Sequence, residues 1–281
     1  MKSPHHPLQP PKQPQGQPTR GKTAPNRLRK TDLFWLLYEP SLLTRTDGNF
    51  ANAWWVDLGY GAEAITTLES AARLRSIAPN LPILGVEIEP QRVQAALPFA
   101  NHNTQFRLGG FNLPLQTGEQ VRAIRAMNVL RQYPEEAVLE AWQWMSRSLL
   151  PGGLLLEGTS TPTGRLWCAN LLRQTTGGLR LEALIFGTNF RTPFAPEMFQ
   201  PILPKNLIHR MLPGEGVYAF FEDWKRAARE TASARSLGQR FWFTASLRAL
   251  RDFGYSLVLR RRWVSRGLIV LRTPQWAFPR R

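Results

Sequence analysis

The chain of 281 residues carries 36 Lys and Arg against 20 Asp and Glu, a formal net charge of +16, and 43% of its residues are hydrophobic. This composition suits one large α/β domain, and no run approaches the roughly 18 to 20 apolar residues that a membrane span needs. The single cysteine, Cys168, excludes an internal disulfide framework and is compatible with a reducing compartment, so we expect a cytoplasmic protein.

The first 30 residues differ from the rest. They are rich in Pro and Gln, contain no acidic residue and carry seven basic ones, so we expect residues 1–30 to form a disordered basic tail. They have neither the apolar core of a secretory signal nor the pattern of a transit peptide. Residues 31–281 are predicted to form one domain, with Thr31 or Asp32 capping a helix over 33–37.

The first predicted strand runs into a glycine turn. An apolar segment reaches Asp57, and Gly59 and Gly61 then open a helix. Glycines at such bends let the backbone turn sharply and approach a ligand, while the helix N-terminus offers free N–H groups. The pattern predicts a nucleotide-type ligand loop, and a plain strand-to-helix turn is the alternative.

A second apolar strand from residue 83 ends in Glu87. In βαβ nucleotide folds, a carboxylate at this position accepts hydrogen bonds from ribose hydroxyls beside the glycine loop. Glu87 is therefore a candidate ribose ligand, with a solvated strand end as the alternative. Glu89 precedes Pro90 and suits the first turn of a helix.

Two later stretches complete a series of motifs. Residues 106–114 contain Gly109-Gly110-Phe111, and an amphipathic helix over 135–148 runs into Leu-Leu-Pro-Gly-Gly before another apolar strand. In order, the four stretches resemble the motifs of class I S-adenosylmethionine-dependent methyltransferases over residues 53–157. Within that superfamily the chain looks like an uncharacterised bacterial branch, which brings no substrate with it.

The resemblance implies a doubly wound, mostly parallel, seven-stranded Rossmann-like sheet with an antiparallel C-terminal hairpin and an insertion after strand five. It implies S-adenosylmethionine as the cofactor and no metal. It assigns neither a methyl acceptor nor a catalytic residue. The implied cofactor contacts are Asp57, Gly59 and Gly61 around the methionine part, Glu87 at the ribose, Ile88 on the adenine, Gly110 and Phe111 at the adenine edge, and Asn128 facing the methyl group.

The chain also departs from the family pattern. Glu63 stands where a third glycine is common, and the third strand ends without the usual acid, so Asn112 or a backbone carbonyl would have to accept from the adenine amino group. After the fourth strand, 122–127, residues 128–133 lack the Asn-Pro-Pro-aromatic motif of many nucleobase and glutamine methyltransferases. This absence argues against those acceptors.

The segment 158–238 is predicted to be an insertion on the substrate side. Residues 166–173 and 179–186 are apolar runs that predict a hairpin beside the cleft. The irregular, Pro-rich stretch 194–213 precedes apolar residues at helical spacing over 216–233, which we interpret as a lid.

A proton acceptor for the methylated group is not evident. Asn128, Tyr133 and His209 are candidates by position only. A lone histidine on an apolar segment is usually structural, so a structural role for His209 is the alternative. We find no Cys/His cluster that could hold zinc.

The C-terminal part is strongly basic. Residues 31–239 are balanced in charge, so the excess comes from the tail and from the last 42 residues, which hold ten arginines and one acid. We predict a helix over 239–252 and an edge hairpin of strands 256–263 and 268–271. The arginines of this hairpin are Arg260, Arg261, Arg262 and Arg266. They could contact RNA, or their only role could be to protect an edge strand from aggregation.

These observations favour transfer of a methyl group from S-adenosylmethionine to an unidentified acceptor. A catalytically inactive relative that binds RNA or protein is one alternative. An RNA methyltransferase, in which the basic tail and the C-terminal arginines hold the substrate, is another. A dinucleotide oxidoreductase shares the glycine loop and the acidic strand end, but it would not predict Leu-Leu-Pro-Gly-Gly or the terminal hairpin.

Overall fold

A computed structural model describes residues 13–19 and 23–278. Eight strands are present in this part of the chain: β1 Trp54–Leu58, β2 Ile83–Glu87, β3 Thr104–Leu108, β4 Val121–Met127, β5 Leu149–Ser160, β6 Leu166–Thr175, β7 Gly178–Thr188 and β8 Leu268–Arg272. The α-helices there are α1 Arg29–Tyr38, α2 Pro40–Thr44, α3 Ile65–Leu74, α4 Pro90–Ala96, α5 Ala137–Ser146, α6 Lys205–Ile208, α7 Gly216–Glu230, α8 Gln239–Asp252 and α9 Arg261–Val264. Short 3-10 helices occupy Gly48–Phe50, Leu97–Phe99, Leu130–Gln132, Pro196–Ile202, Ala232–Leu237 and Gln275–Ala277.

The strands form one sheet in the order β3-β2-β1-β4-β5-β6-β7-β8. The first five in this order are parallel, and the last three are antiparallel to their neighbours. This confirms the doubly wound Rossmann-like fold. Because the order reverses between β1 and β4, a cleft opens at the carboxyl ends of these strands, where ligands of such sheets bind.

The antiparallel half differs from the prediction in two ways. The hairpin of β6 and β7 is confirmed, but β6 pairs with β5 and extends the sheet to eight strands instead of standing beside the cleft. The predicted strand 256–263 is wrong, since Leu257 makes only one bridge to Leu271 and the chain then turns into α9. A strand would have pointed part of the Arg260–Arg262 run at the core, whereas α9 leaves all three exposed and buries Trp263.

Two hydrophobic clusters cover the two faces of the sheet. On one face, α1, α2 and α3 pack over Trp55, Trp167 and their neighbours. On the other face, α5, α7 and α8 enclose an aromatic group in which Trp224 stacks on Phe199 with ring centroids 5.5 Å apart. Helix α7 buries its aromatic side in this core, so its interpretation as a lid was wrong.

Helix α1 begins at Arg29, so Thr31 and Asp32 lie within it and do not cap it. Of the predicted disordered tail, residues 1–12 and 20–22 lie outside the described residues. Within the described residues, no helix has the length and apolar character needed to cross a membrane.

Candidate functional site

The glycine turn after β1 has the backbone conformation that only glycine adopts easily. Gly59 has a φ of +70° and Gly61 a φ of +92°. The Gly59 N–H donates to the Val86 carbonyl at 2.8 Å, which holds the turn against β2. The turn therefore lies at the carboxyl edge of the sheet, where β1 and β2 end side by side.

Glu87 is buried at the end of β2, with 1% of its surface exposed. Its Oε2 accepts from the Gly61 N–H at 3.0 Å, and its Oε1 accepts from the Ile88 N–H at 3.1 Å. Arg92 Nη1 lies 3.5 Å from the same Oε1. The structure thus brings the acid and the glycine turn together.

Asp57 lines the cleft, but its carboxylate is engaged within the protein. Arg125 donates to Oδ1 from Nε at 3.0 Å and to Oδ2 from Nη2 at 2.8 Å. The hydroxyls of Thr66 and Thr67 donate to Oδ2 at 3.2 Å and 2.9 Å. Asp57 therefore ties β1 to β4 and to α3.

Arg125 is the residue near the site that sequence reasoning missed. It is completely buried on β4, and its Nη1 also donates to Asp32 Oδ1 at 2.6 Å. Burial alone would lower the pKa of Arg125, but the carboxylates of Asp57 and Asp32 raise it, so the guanidinium stays charged. The available signal was two arginines, Arg122 and Arg125, within the apolar strand β4, because a buried cation requires hydrogen-bond acceptors. Arg122 finds main-chain carbonyls, such as that of Ala53 at 2.8 Å, whereas Arg125 finds carboxylates.

Residues 13–19 run through the cleft. The Gln15 N–H donates to Asn112 Oδ1 at 2.7 Å, and the Gln15 carbonyl accepts from the Phe111 N–H at 2.9 Å. The Gln17 N–H donates to the Tyr133 hydroxyl. This part of the predicted disordered tail therefore has defined partners in the site.

Gly16 and Gly110 are where this segment and the cleft approach most closely. A Cβ on Gly110 would lie 1.9 Å from the Gln15 carbonyl oxygen. A Cβ on Gly16, which has a φ of +136°, would lie 3.1 Å from the Tyr133 hydroxyl and 3.4 Å from Ile88 Cδ1. With the segment in place, two small cavities of about 60 Å³ and 20 Å³ remain.

Asn128 follows β4 in a left-handed conformation, with a φ of +64° that asparagine tolerates. Its Nδ2 donates to Ser160 Oγ at 3.1 Å, and its Oδ1 accepts from the Ser160 N–H at 2.9 Å. It therefore joins the ends of β4 and β5. All eight residues predicted to contact the cofactor line one of the two small cavities: Asp57, Gly59, Gly61, Glu87, Ile88, Gly110, Phe111 and Asn128.

The remaining candidates behave differently from one another. Tyr133 lines the smaller cavity, and burial raises the pKa of its hydroxyl, which keeps it protonated at neutral pH. His209 is exposed after α6 and contacts Lys205 Nζ at 2.9 Å. His209 does not line either small cavity, so the structure does not bring it to the site.

No protein-family model and no curated protein matches the chain. One similar solved structure is the N-methyltransferase NodS from Bradyrhizobium japonicum, with 18% identity over 38% of this chain and 58% of NodS and a TM-score of 0.29. A putative protein-L-isoaspartate O-methyltransferase from Plasmodium falciparum in complex with S-adenosyl-L-homocysteine matches at 14% identity over 53% of this chain and 67% of that one, with a TM-score of 0.33. Human N-acetylserotonin methyltransferase in complex with S-adenosylmethionine matches at 22% identity over 46% and 36%, with a TM-score of 0.31.

The chain spans 58% of NodS and only 36% of the human enzyme. Sequence identities this low concern the fold alone, and a fold does not determine a reaction. The strand order is the stronger observation, because five parallel strands in the order β3-β2-β1-β4-β5 carry the glycine turn and Glu87 at their carboxyl ends. The architecture is the doubly wound, mostly parallel Rossmann-like sheet that the resemblance implied.

Proposed function

We propose that the protein binds S-adenosylmethionine in this cleft and transfers its methyl group to an acceptor. The observation that carries the proposal is a donor and an acceptor that stand side by side beneath residues 13–19, namely the Phe111 N–H and Asn112 Oδ1. The main-chain carbonyl and N–H of Gln15 satisfy both. An adenine offers the same pattern, since an accepting ring nitrogen lies next to a donating amino group.

The surroundings of this pair fit a nucleoside. Ile88, Phe111 and Tyr133 enclose Gly16 and would form the walls around a flat ring. Asn112 would replace the acid that the third strand lacks. Glu87 lies next to the glycine turn and would accept from the ribose hydroxyls.

Asp57 has a different role in this proposal from the one that the resemblance implied. Because Arg125, Thr66 and Thr67 already donate to its carboxylate, Asp57 would hold the glycine turn in place rather than bind the methionine part directly. That part would then meet the main chain at Gly59 and the turn at Asn128, which line the same cavity.

The bound cofactor would supply the activated methyl group, so the residues of this chain mainly have to orient the acceptor and exclude water. Tyr133 stays protonated and Asn128 is neutral, so neither serves as a general base. An acceptor that must lose a proton would have to release it to solvent or to a group outside the cavity.

Cofactor binding also requires residues 13–19 to move, because the two small cavities are far smaller than a nucleoside. In this proposal residues 13–19 form a cover over the cleft, and α1, which begins at Arg29, belongs to the domain predicted over residues 31–281. If residues 13–19 stayed in the cleft permanently, the cofactor could not bind, and the protein would be a catalytically inactive relative.

Calorimetric titration with S-adenosylmethionine and S-adenosylhomocysteine tests the proposal, with NAD as the control ligand. We expect both sulfur compounds to bind and NAD to give no heat of binding. Binding of NAD alone would overturn the proposal, and binding of none of the three would favour the inactive relative.

A further inference from the structure

A third, larger cavity opens at the same edge of the sheet, over the antiparallel half. Its volume is about 810 Å³. Its walls come from the chain before α1, α1 itself, Arg73 on α3, the turn between β5 and β6, the chain after β7 and the chain before β8. The three segments that adjoin strands lie at the edge where the candidate cofactor residues lie, since β7 runs in the same direction as β5.

The lining of this basic cavity is strongly one-sided in charge. Five cations line it, and no carboxylate is among its described lining residues. Arg73 is paired with Asp32 at 2.7 Å and with Glu69 at 3.3 Å, whereas the other four make no ion pair with any carboxylate in the described part of the chain. Those four are Arg29, Lys30, Arg191 and Arg266.

These cations are close enough to affect one another. Lys30 Nζ donates to the main-chain carbonyl of Arg266 at 2.9 Å, which fixes the ammonium at the wall. Burial, together with repulsion by Arg240, Arg29 and Arg266, lowers the pKa of Lys30 to about 8. Like charges held together without counter-charges favour binding of an anion.

The chemical groups that line the basic cavity indicate which class of anion would bind there. Guanidinium groups present two parallel N–H donors that match phosphate oxygens. Asn26, Thr163 and Asn189 add neutral polar groups, and Leu33 with Leu36 provides an apolar wall. A ligand with a phosphate and an apolar or aromatic part matches this combination.

One segment connects the two sites. Thr23, Arg27 and Leu28 line the candidate cofactor cavity, while Pro25 and Arg29 line the basic cavity. We propose that the basic cavity binds a phosphate group of the methyl acceptor, an inference that rests on the proposed function. The phosphate would hold the acceptor beside the cleft that takes the cofactor.

The test measures binding of two probes to the full chain, inorganic pyrophosphate by calorimetry and a mixed-sequence single-stranded RNA of about 20 nucleotides by fluorescence anisotropy. The pocket variant is Arg191→Gln with Arg266→Gln, both exposed. The control is Arg229→Gln with Arg248→Gln, which removes the same charge from exposed positions on α7 and α8 that do not line the cavity.

We expect the pocket variant to weaken at least one probe by about tenfold or more, and the control to weaken it by less than about threefold. Weaker pyrophosphate binding in the pocket variant would identify a small phosphorylated ligand. Weaker RNA binding alone, with an affinity that falls steeply with salt, would identify a polynucleotide. Equal losses in both variants, or no binding of either probe at low salt, would overturn the inference.

Titration of the same variants with S-adenosylmethionine separates this inference from the proposed function. Unchanged cofactor affinity in the pocket variant, together with weaker phosphate binding, supports both the proposed function and the phosphate site. Phosphate binding without cofactor binding would leave an anion site and remove its link to methyl transfer, whereas cofactor binding without phosphate binding would remove only the anion site.

Discussion

The two faces of the sheet both bury polar groups, but they supply partners of different kinds. Beneath α1 and α3, the Arg125 guanidinium meets two carboxylates, Asp57 and Asp32. On the opposite face, the donors to Glu157 among residues 13–19 and 23–278 are Asn170 Nδ2 at 3.0 Å and Trp142 Nε1 at 3.3 Å, both neutral. Burial therefore raises the pKa of Glu157 to about 7.

This difference shows what each buried group does for the molecule. A buried carboxylate that accepts two hydrogen bonds from a guanidinium, as Asp57 does from Arg125, can hold a loop of the site in place. A carboxyl with only neutral partners makes stability depend on pH. The face beneath α1 and α3 thus organises the cleft, and the other face carries a titrating group in its core.

Asp57→Ala removes one carboxylate partner of Arg125 on the face beneath α1 and α3, and it has the largest expected effect. It leaves the Arg125 guanidinium buried with only Asp32 as a carboxylate partner, so we expect the free energy of unfolding to fall by about 3 to 5 kcal/mol in urea denaturation. Asp252→Ala removes an exposed carboxylate and should leave the urea midpoint unchanged. A change at Asp57 as small as that of the control would show that the ion pair is not structural.

Glu157→Gln removes the titrating group from the other face. A carboxyl with a raised folded-state pKa contributes most stability below its unfolded value near 4.5 and loses it as pH rises towards 7. The expected loss in the unaltered protein is about 3 kcal/mol across this window. The variant should lack this loss of stability, because the new amide stays neutral. It should also be more stable than the unaltered protein at pH 8, because the amide can donate to Asn170 Oδ1, which has no hydrogen-bond partner among the described residues.

Denaturation at pH 5 and at pH 8 measures this effect. Glu140→Gln on the exposed side of α5 is the matched control and should keep the pH dependence. Equal pH dependence in the Glu157 variant would mean that another group titrates.

Glu87→Ala tests a carboxylate at the cleft end of the face beneath α1 and α3. Glu87 lies on the same side as Asp57, but its main partners are the N–H groups of Gly61 and Ile88. Its loss should therefore affect ligand binding more than folding, with S-adenosylmethionine affinity lowered at least about tenfold. Calorimetry with Glu89→Gln as the control measures this, and unchanged affinity in the Glu87 variant would refute the ribose assignment.

Gly16→Val tests the segment that covers this edge, with the smallest expected effect. A side chain at a φ of +136° is strained and would crowd the Tyr133 hydroxyl, so the variant should loosen residues 13–19. If these residues compete with the cofactor, affinity should rise about threefold to tenfold, which corresponds to roughly 1 kcal/mol of strain.

Gly118→Val is the matched control, since Gly118 also has a positive φ but lies in an open loop with no neighbour within 4 Å. It should leave cofactor affinity unchanged. Weaker cofactor binding in the Gly16 variant would mean that the segment supports the cofactor rather than competing with it.

Much of the fold was predictable because it depends on neighbouring residues. The helix 239–252 was predicted with its observed bounds, and the glycine turn and Glu87 followed from local patterns of apolar residues, glycines and acids. The hairpin of β6 and β7 was also predictable, but its place in the sheet was not. Both edges of such a hairpin can pair, and only contact with β5 and β8 decides which neighbours it takes.

The sequence by itself determined the succession of strands and helices, the glycine turn after β1 and the residues at the carboxyl ends of the parallel strands. Periodicity and turn chemistry act over a few residues, and they can be read in order along the chain. Tertiary structure alone decided that Asp57 and Asp32 meet Arg125, 68 and 93 residues away, and that Gln15 reaches Asn112, 97 residues away. Such contacts depend on which faces pack together, because a buried charge or an unpaired N–H takes whichever partner the completed fold brings to it.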